Sequence, residues 1–267
     1  MKVIQEILKE QLANIYLIFT LARYDIKGKY QLHYLGAAWQ YLSPALQILI
    51  YWFVFGIGIR GGQPVDGVPF IIWLLVGLIP WFFISPSIIQ GANSVFTRIS
   101  LVSKMKFPVS VLPSVTIVSN TFNFIVMLLI LGILLVIYGI NPGVYILQLP
   151  YYLISLFFFL FSITLLFSTI STIVRDFQLV LQSLTRMMLY LTPILWDMSR
   201  LPVSLVKILM LNPIFYLIEG FRKTFLGQGW FFNDLIYMSY FWITCILILY
   251  IGALVHMKFR KQFMDYI

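Results

Sequence analysis

The chain has 267 residues, of which 61% are hydrophobic and only 10% charged, with a mean hydropathy of +0.95. A soluble domain carries roughly 25% charged and 45–50% apolar residues, so this composition excludes a soluble globular enzyme and makes lipid the solvent for much of the surface. The net charge of +9 is scattered between apolar runs, which reads as membrane topology and headgroup contact and not as a nucleic-acid surface.

At the N-terminal end, Ile4, Ile7, Leu8, Leu12, Ile15 and Phe19 recur at helical spacing, with Gln5, Glu6, Lys9, Glu10 and Asn14 on the opposite face. Residues 3–19 are therefore predicted to form an amphipathic helix in the cytoplasmic interface. Glu6, Lys9 and Glu10 fall where the apolar core of a cleavable signal peptide would lie, so none is expected. A break at Lys27-Gly28-Lys29 is expected to hinge this helix to the first span. Residues 1–35 then form an interfacial helix and hinge, and 36–267 a single transmembrane domain.

A spanning helix needs about 20 mostly apolar residues. Six runs qualify: 36–59, 68–89, 109–137, 150–174, 179–196 and 230–255. Between the last two, Pro202 and Pro213 interrupt stretches too short to span. Non-helical backbone at membrane depth survives only when buried in protein or lining water. Residues 197–229 are therefore read as re-entrant short helices dipping in from the outer side, with an ordinary extracellular loop as the alternative. Basic residues settle the orientation. Lys2, Lys9, Arg23, Lys27, Lys29, Arg98, Lys104, Lys106, Arg175, Lys258, Arg260 and Lys261 fall on one side, and only Arg60, Arg200, Lys207, Arg222 and Lys223 on the other. This places both termini in the cytoplasm. The predicted fold class is an all-α, multi-pass integral membrane protein.

Chemistry is sparse. No G-x-x-x-x-G-K-[ST] loop is present, so no P-loop nucleotide site is expected in this chain. The aspartates, from Asp25 to Asp265, sit at predicted helix ends or in loops. His33 and His256 lie near the cytoplasmic surface and read as structural side chains. Cys245, the single cysteine, excludes an intrachain disulfide and a Cys-based metal site. No acid–histidine cluster or nucleophile with its base is visible, so no catalytic residue and no metal site is assigned. The chain reads as a conduit driven by something else. A membrane-embedded transferase acting on lipid-linked sugars is the competing class. Alanine substitution of Asp66, Asp176, Asp197 and Glu219 in a glycosyl-transfer assay discriminates the two.

Three polar features stand out. Gln178, Gln182 and Arg186 recur every four residues on one helix face. A charge there either lines a pathway and meets an anionic lipid phosphate, or snorkels and pairs with Asp176 or a carbonyl. Glu219 and Arg222, three apart, either pair with each other or form an outer gate. The basic loop 93–108 is either plain inside charge or a docking helix for a cytosolic motor.

In order and spacing, the landmarks R-Y-D-I-K-G-K-Y-x-x-x-Y-L-G-x-x-W (Arg23 to Trp39), Ser43-Pro44, V-F-G (Val54 to Gly56), K-M-K-F-P (Lys104 to Pro108), V-R-D (Val174 to Asp176), T-P-I-L-W (Thr192 to Trp196) and L-N-P-I-F-Y-L-I-E-G-F-R (Leu211 to Arg222) resemble the permease subunits of ABC-2 type polysaccharide exporters. I-Y-W-F-V-F-G-I-G-I-R at Ile50 to Arg60 and P-V-D-G-V-P-F at Pro64 to Phe70 look most like the wall teichoic acid exporters of Gram-positive bacteria. Related O-antigen exporters share most landmarks, and capsular polysaccharide is a further alternative cargo.

The resemblance implies a bacterial cytoplasmic membrane homodimer paired with two copies of a cytosolic P-loop ATPase. That partner would hold the ATP and Mg, leaving no cofactor in this chain. The cargo would be a lipid-linked teichoic acid polymer built on undecaprenyl diphosphate, with no nucleic acid involved. The first and fifth spans would face each other across the dimer axis, with Tyr41, Gln47, Tyr51, Gln182, Arg186 and Tyr190 lining the pathway. Lys27, Lys29 and Arg186 could attract the diphosphate. Coupling to the ATPase would fall to Arg98, Ser100, Lys104 and Lys106 in the first cytoplasmic loop, and to Arg175 and Asp176 in the second.

Overall fold

The computed structural model describes residues 2–30, 36–98, 108–198 and 201–260. Among them the only β pairing is a bridge between Val65 and Val68. It closes a tight turn in which Asp66 and Gly67 both have positive φ (48° and 79°), the geometry that Asp-Gly favours between antiparallel segments.

The predicted interfacial helix is a pair, α1 (Lys2–Ala13) and α2 (Ile15–Tyr30). The break falls at Asn14, whose side-chain amide donates to the Glu10 carbonyl at 2.8 Å and competes with the helical ladder. Lys27, Gly28 and Lys29 are helical, so the break expected there is absent, and the link from α2 to the first span lies outside the described residues. Ile7 packs against Leu165, Leu249 and Ala253, and Ile18 and Ala22 pack against Val111 and Val115. Tyr16 and Phe19 stay exposed on the other side. Polar contacts fix the pair to the helix ends above it. Glu10 accepts from Arg260 and from the Ser110 hydroxyl, each at 2.5 Å. Gln11 donates to the Ser110 carbonyl at 2.9 Å and accepts from Ser114 at 2.8 Å.

The first span is α3 (Trp39–Tyr51), continued by a π-helical segment over Trp52–Ile59. Buried Gly56 sits there with no side chain because a Cβ would come within 2.9 Å of the Phe70 ring. The second span, α4 (Phe70–Ala92), is the centre of the molecule: 78% of its apolar stretch is buried, against 6% for the first span. After the short α5 (Ser94–Thr97) come α6 (Leu112–Ile137) and α7 (Leu149–Ile173). Phe83 of α4 stacks on Phe124 of α6 at 4.5 Å. The chain closes with α8 (Phe177–Leu191), α9 (Val203–Leu209), α10 (Pro213–Leu226) and α11 (Leu235–Phe259).

Among the described residues five helices are long and apolar enough to cross a membrane, six if the bent pair α9 and α10 counts as one span, and α8 is not among them. Its 15 residues rise about 22 Å at ~1.5 Å each, short of the ~30 Å hydrocarbon core. Pro193 pushes Thr192 into an extended conformation (φ −95°, ψ 150°) and ends the helix early. The backbone completes the crossing in irregular form. Gln178 donates to the Ile89 carbonyl at the inner end of α4 at 3.0 Å. Ile194 lies beside Gly77, and Asp197 pairs with Arg60 at 3.6 Å beyond the first span. Residues 177–197 thus run the length of α4 in the opposite direction.

The helices α9 and α10 are bent by 104°, with Pro213 as the first residue of α10 and the Asn212 side chain accepting from the Ile214 amide at 3.0 Å. At the bend Asn212 meets Met188, and the Tyr240 hydroxyl donates to the Leu211 carbonyl at 2.8 Å. The far end of α10 returns to the outer loop, with Gly227 against Pro142 and Tyr145. The pair enters and leaves on the same side, as a re-entrant element does.

Candidate translocation cavity

A cavity of about 770 Å³ opens between α3, α4, α6 and α8. Its polar lining comes from four helices: Gln47 and Tyr51 on α3, Gln90 on α4, Asn120 and Asn123 on α6, and Arg186 and Tyr190 on α8. Trp39, Pro44 and Trp81 supply aromatic and apolar wall. These polar groups are set in a wall that is otherwise mostly apolar. Polar side chains at membrane depth are costly unless they face protein or water. Asn120 donates to the Ser87 hydroxyl at 3.3 Å, and the buried Oδ1 of Asn123 has no partner among the described residues.

The structure separates the sequence-predicted pathway residues. Gln47, Tyr51, Arg186 and Tyr190 meet in the cavity, whereas Tyr41 and Gln182 are absent from its lining. The polar stripe on α8 also divides. Gln178 is used structurally against Ile89. Arg186 reaches the cavity and pairs with neither Asp176 nor a carbonyl among the described residues. Lys27 is exposed on α2, away from the lining. The side chain of Lys29 lies outside what is described. The residues missed from sequence are Asn120 and Asn123. Their signal was available: two carboxamides three apart inside the longest apolar run.

At the inner end, Arg98 forms an ion pair with Asp25 of α2. The guanidinium of Arg175 sits 5.4 Å over the Phe96 ring of α5, so the two cytoplasmic loops form one surface. Asp176 precedes α8, exposed and making no side-chain capping bond. Ser100, Lys104 and Lys106 lie outside the described residues.

At the outer end, Arg222 bonds Glu219 at 2.8 Å, donates to the Ile194 carbonyl at 3.3 Å and lies 3.6 Å over the Trp73 ring. It is only 3% exposed. The pair expected as an outer gate is thus packed inside the protomer, fastening α10 to α4 and to the chain after α8. Gly77 leaves room for it, since a Cβ there would lie 3.2 Å from the guanidinium.

These features define a multi-pass helical membrane protein with an aromatic-walled cavity that carries a few polar side chains. No group of three His, Cys, Asp or Glu among the described residues could hold a metal. The sequence matches the family model described as ABC-2 type transporter over residues 16–226, and the chain belongs to that family, as a permease of the cytoplasmic membrane. It is 29% identical over 211 residues to the O-antigen export system permease protein RfbA of Myxococcus xanthus, covering 78% of this chain and 80% of that one. A protein of the same name from Klebsiella pneumoniae is 25% identical over 250 residues, covering 93% and 94%.

Proposed function

We propose that this chain is the membrane subunit of an ATP-driven exporter of lipid-linked polysaccharide. The observation that carries the reading is the cavity. Arg186, without a partner among the described residues, faces a wall of tryptophans and tyrosines set with a few carboxamides. A guanidinium offers a phosphate two parallel charge-assisted hydrogen bonds, and aromatic faces with carboxamides suit sugar rings. The cargo is a polymer on a polyprenyl diphosphate. The two named relatives support an O-antigen-type polysaccharide over wall teichoic acid. The segments at 50–60 and 64–70 keep teichoic acid as the second reading, with capsular polysaccharide behind both.

The energy source is a separate cytosolic ATPase that binds the ATP and Mg, docked on the surface shared by α5 and the Arg175 loop. The permease acts as a homodimer. The first span is almost wholly uncovered, and the apolar faces of Leu46, Leu49, Ile50 and Phe53 on that span and Leu184 and Met187 on α8 are exposed beside the cavity.

The test is co-purification with a P-loop ATPase encoded beside this chain, followed by export of lipid-linked O-antigen and of teichoic acid by the reconstituted complex. Export by this chain alone, without nucleotide, would overturn the reading. Arg186→Ala is expected to lower export about tenfold or more, the loss of one charged hydrogen bond, while the dimer still assembles. Loss of assembly would instead make Arg186 structural.

A further inference from the structure

A second cavity, of about 540 Å³, lies at the inner end of the bundle between α2, the C-terminal turn of α4, α5 and α6. It is well within the range of small-molecule sites. Asp25, Asn93, Arg98 and Ser119 are among its walls, and Tyr24 stands at its rim. Ser119 is 4% exposed, and its buried hydroxyl has no partner among the described residues. A buried hydroxyl without a bond costs free energy, and this one lines a space large enough to hold the missing partner. The cavity adjoins the translocation cavity. Gln90 lines both, and Ser119 and Asn120, neighbours on α6, line one each.

The charge of the site selects the ligand. Arg98 is the one cation among the described lining residues and is already paired with Asp25, and the carboxylate opposes a phosphate. What remains is a set of donors and acceptors at close quarters: a carboxylate edge, a guanidinium edge, the Asn93 carboxamide and the Ser119 hydroxyl, with an aromatic ring at the mouth. That set suits vicinal hydroxyls. We propose that this cleft holds the sugar nearest the lipid diphosphate of the cargo before the polymer enters the translocation cavity. The inference rests on the polysaccharide reading above and adds to it the place of sugar recognition on the cytoplasmic side.

The experiment uses the full permease with its ATPase in lipid nanodiscs. Three probes are titrated: a prenyl diphosphate carrying one hexose, the same prenyl diphosphate without sugar, and a diacylglycerol bearing one hexose. Ser119→Ala removes the hydroxyl with little change in volume, and Asn93→Leu removes the carboxamide. Each is expected to weaken the sugar-bearing prenyl diphosphate about fivefold or more and to leave the sugar-free probe within about twofold. Retention of the thermal unfolding midpoint in either variant keeps the result readable should the other misfold. Equal weakening of both prenyl probes, or no change in either, overturns the cleft assignment. Equally tight, Ser119-dependent binding of the diacylglycerol hexose assigns the cleft to a membrane glycolipid and overturns the cargo assignment. Failure of the wild type to bind the sugar-bearing prenyl probe at all would count against the polysaccharide reading itself.

Discussion

Gly220→Ala is expected to undock the re-entrant helix and cost about 3 kcal/mol or more, because the new Cβ would fall 1.9 Å from Cε1 and 2.3 Å from Cδ1 of Tyr152. The ring cannot retreat. Tyr152 is 2% exposed and is held between Tyr151, Tyr216 and Phe221, with centroids 5.2, 5.8 and 6.4 Å away. Overpacking ordinarily costs ~1–3 kcal/mol where neighbours can shift; here they cannot. The strain is relieved by lifting α10, which pulls Arg222 off Trp73 and strands a buried guanidinium. Gly132→Ala is the control, since nothing lies within 4 Å of its Cβ position. Thermal unfolding in detergent is expected to separate the two clearly. Equal midpoints would mean that α10 does not pack on α7 in this way.

Reversing one charge of the Asp25–Arg98 pair is expected to cut export about tenfold while leaving the ATPase subunit bound and hydrolysing. The pair joins the interfacial helix to the chain just after α5, with side chains 27% and 17% exposed. Exposed pairs contribute ~0–1 kcal/mol and buried ones more, so breaking this one should cost about 1–2 kcal/mol. That is too little to unfold the protein but enough to part α2 from α5. Motion imposed on α5 would then no longer reach α2. Asp25→Arg and Arg98→Glu alone should uncouple hydrolysis from export, and the double exchange Asp25→Arg with Arg98→Asp should restore it. Loss of the ATPase subunit from Arg98→Glu, unrestored by the exchange, would instead make Arg98 a direct contact with the partner.

Much of this architecture was legible in the chain because lipid imposes a strict length and polarity rule. The long runs at 68–89, 109–137 and 150–174 became helices within a few residues of those limits. The fifth run was harder to read. Hydropathy counts 179–196 as one stretch, yet Pro193 stops the helix at Leu191 and leaves the backbone to finish the crossing. Gly28 looks like a breaker yet is helical, because one glycine costs a helix only about 1 kcal/mol. Among the site residues, Arg186 stood out as a charge in an apolar run. Asn120 and Asn123 did not, because a carboxamide in a long greasy segment reads as an interruption until three other helices gather around it. Tyr41 and Gln182 were placed in the pathway by resemblance, and neither is among the residues lining this cavity.

By itself, the sequence determined that the chain lives in lipid, about where its long apolar runs lie and that it carries no P-loop of its own. Each of these follows from local composition, since the bilayer acts on every segment separately. The tertiary structure alone decided which polar side chains share a cavity, that Arg222 fastens α10 to α4, and that Arg98 answers to Asp25 across 73 residues of chain. Those are facts of packing between segments distant in sequence, and the periodicity of any one helix is silent about which neighbour its polar face will meet.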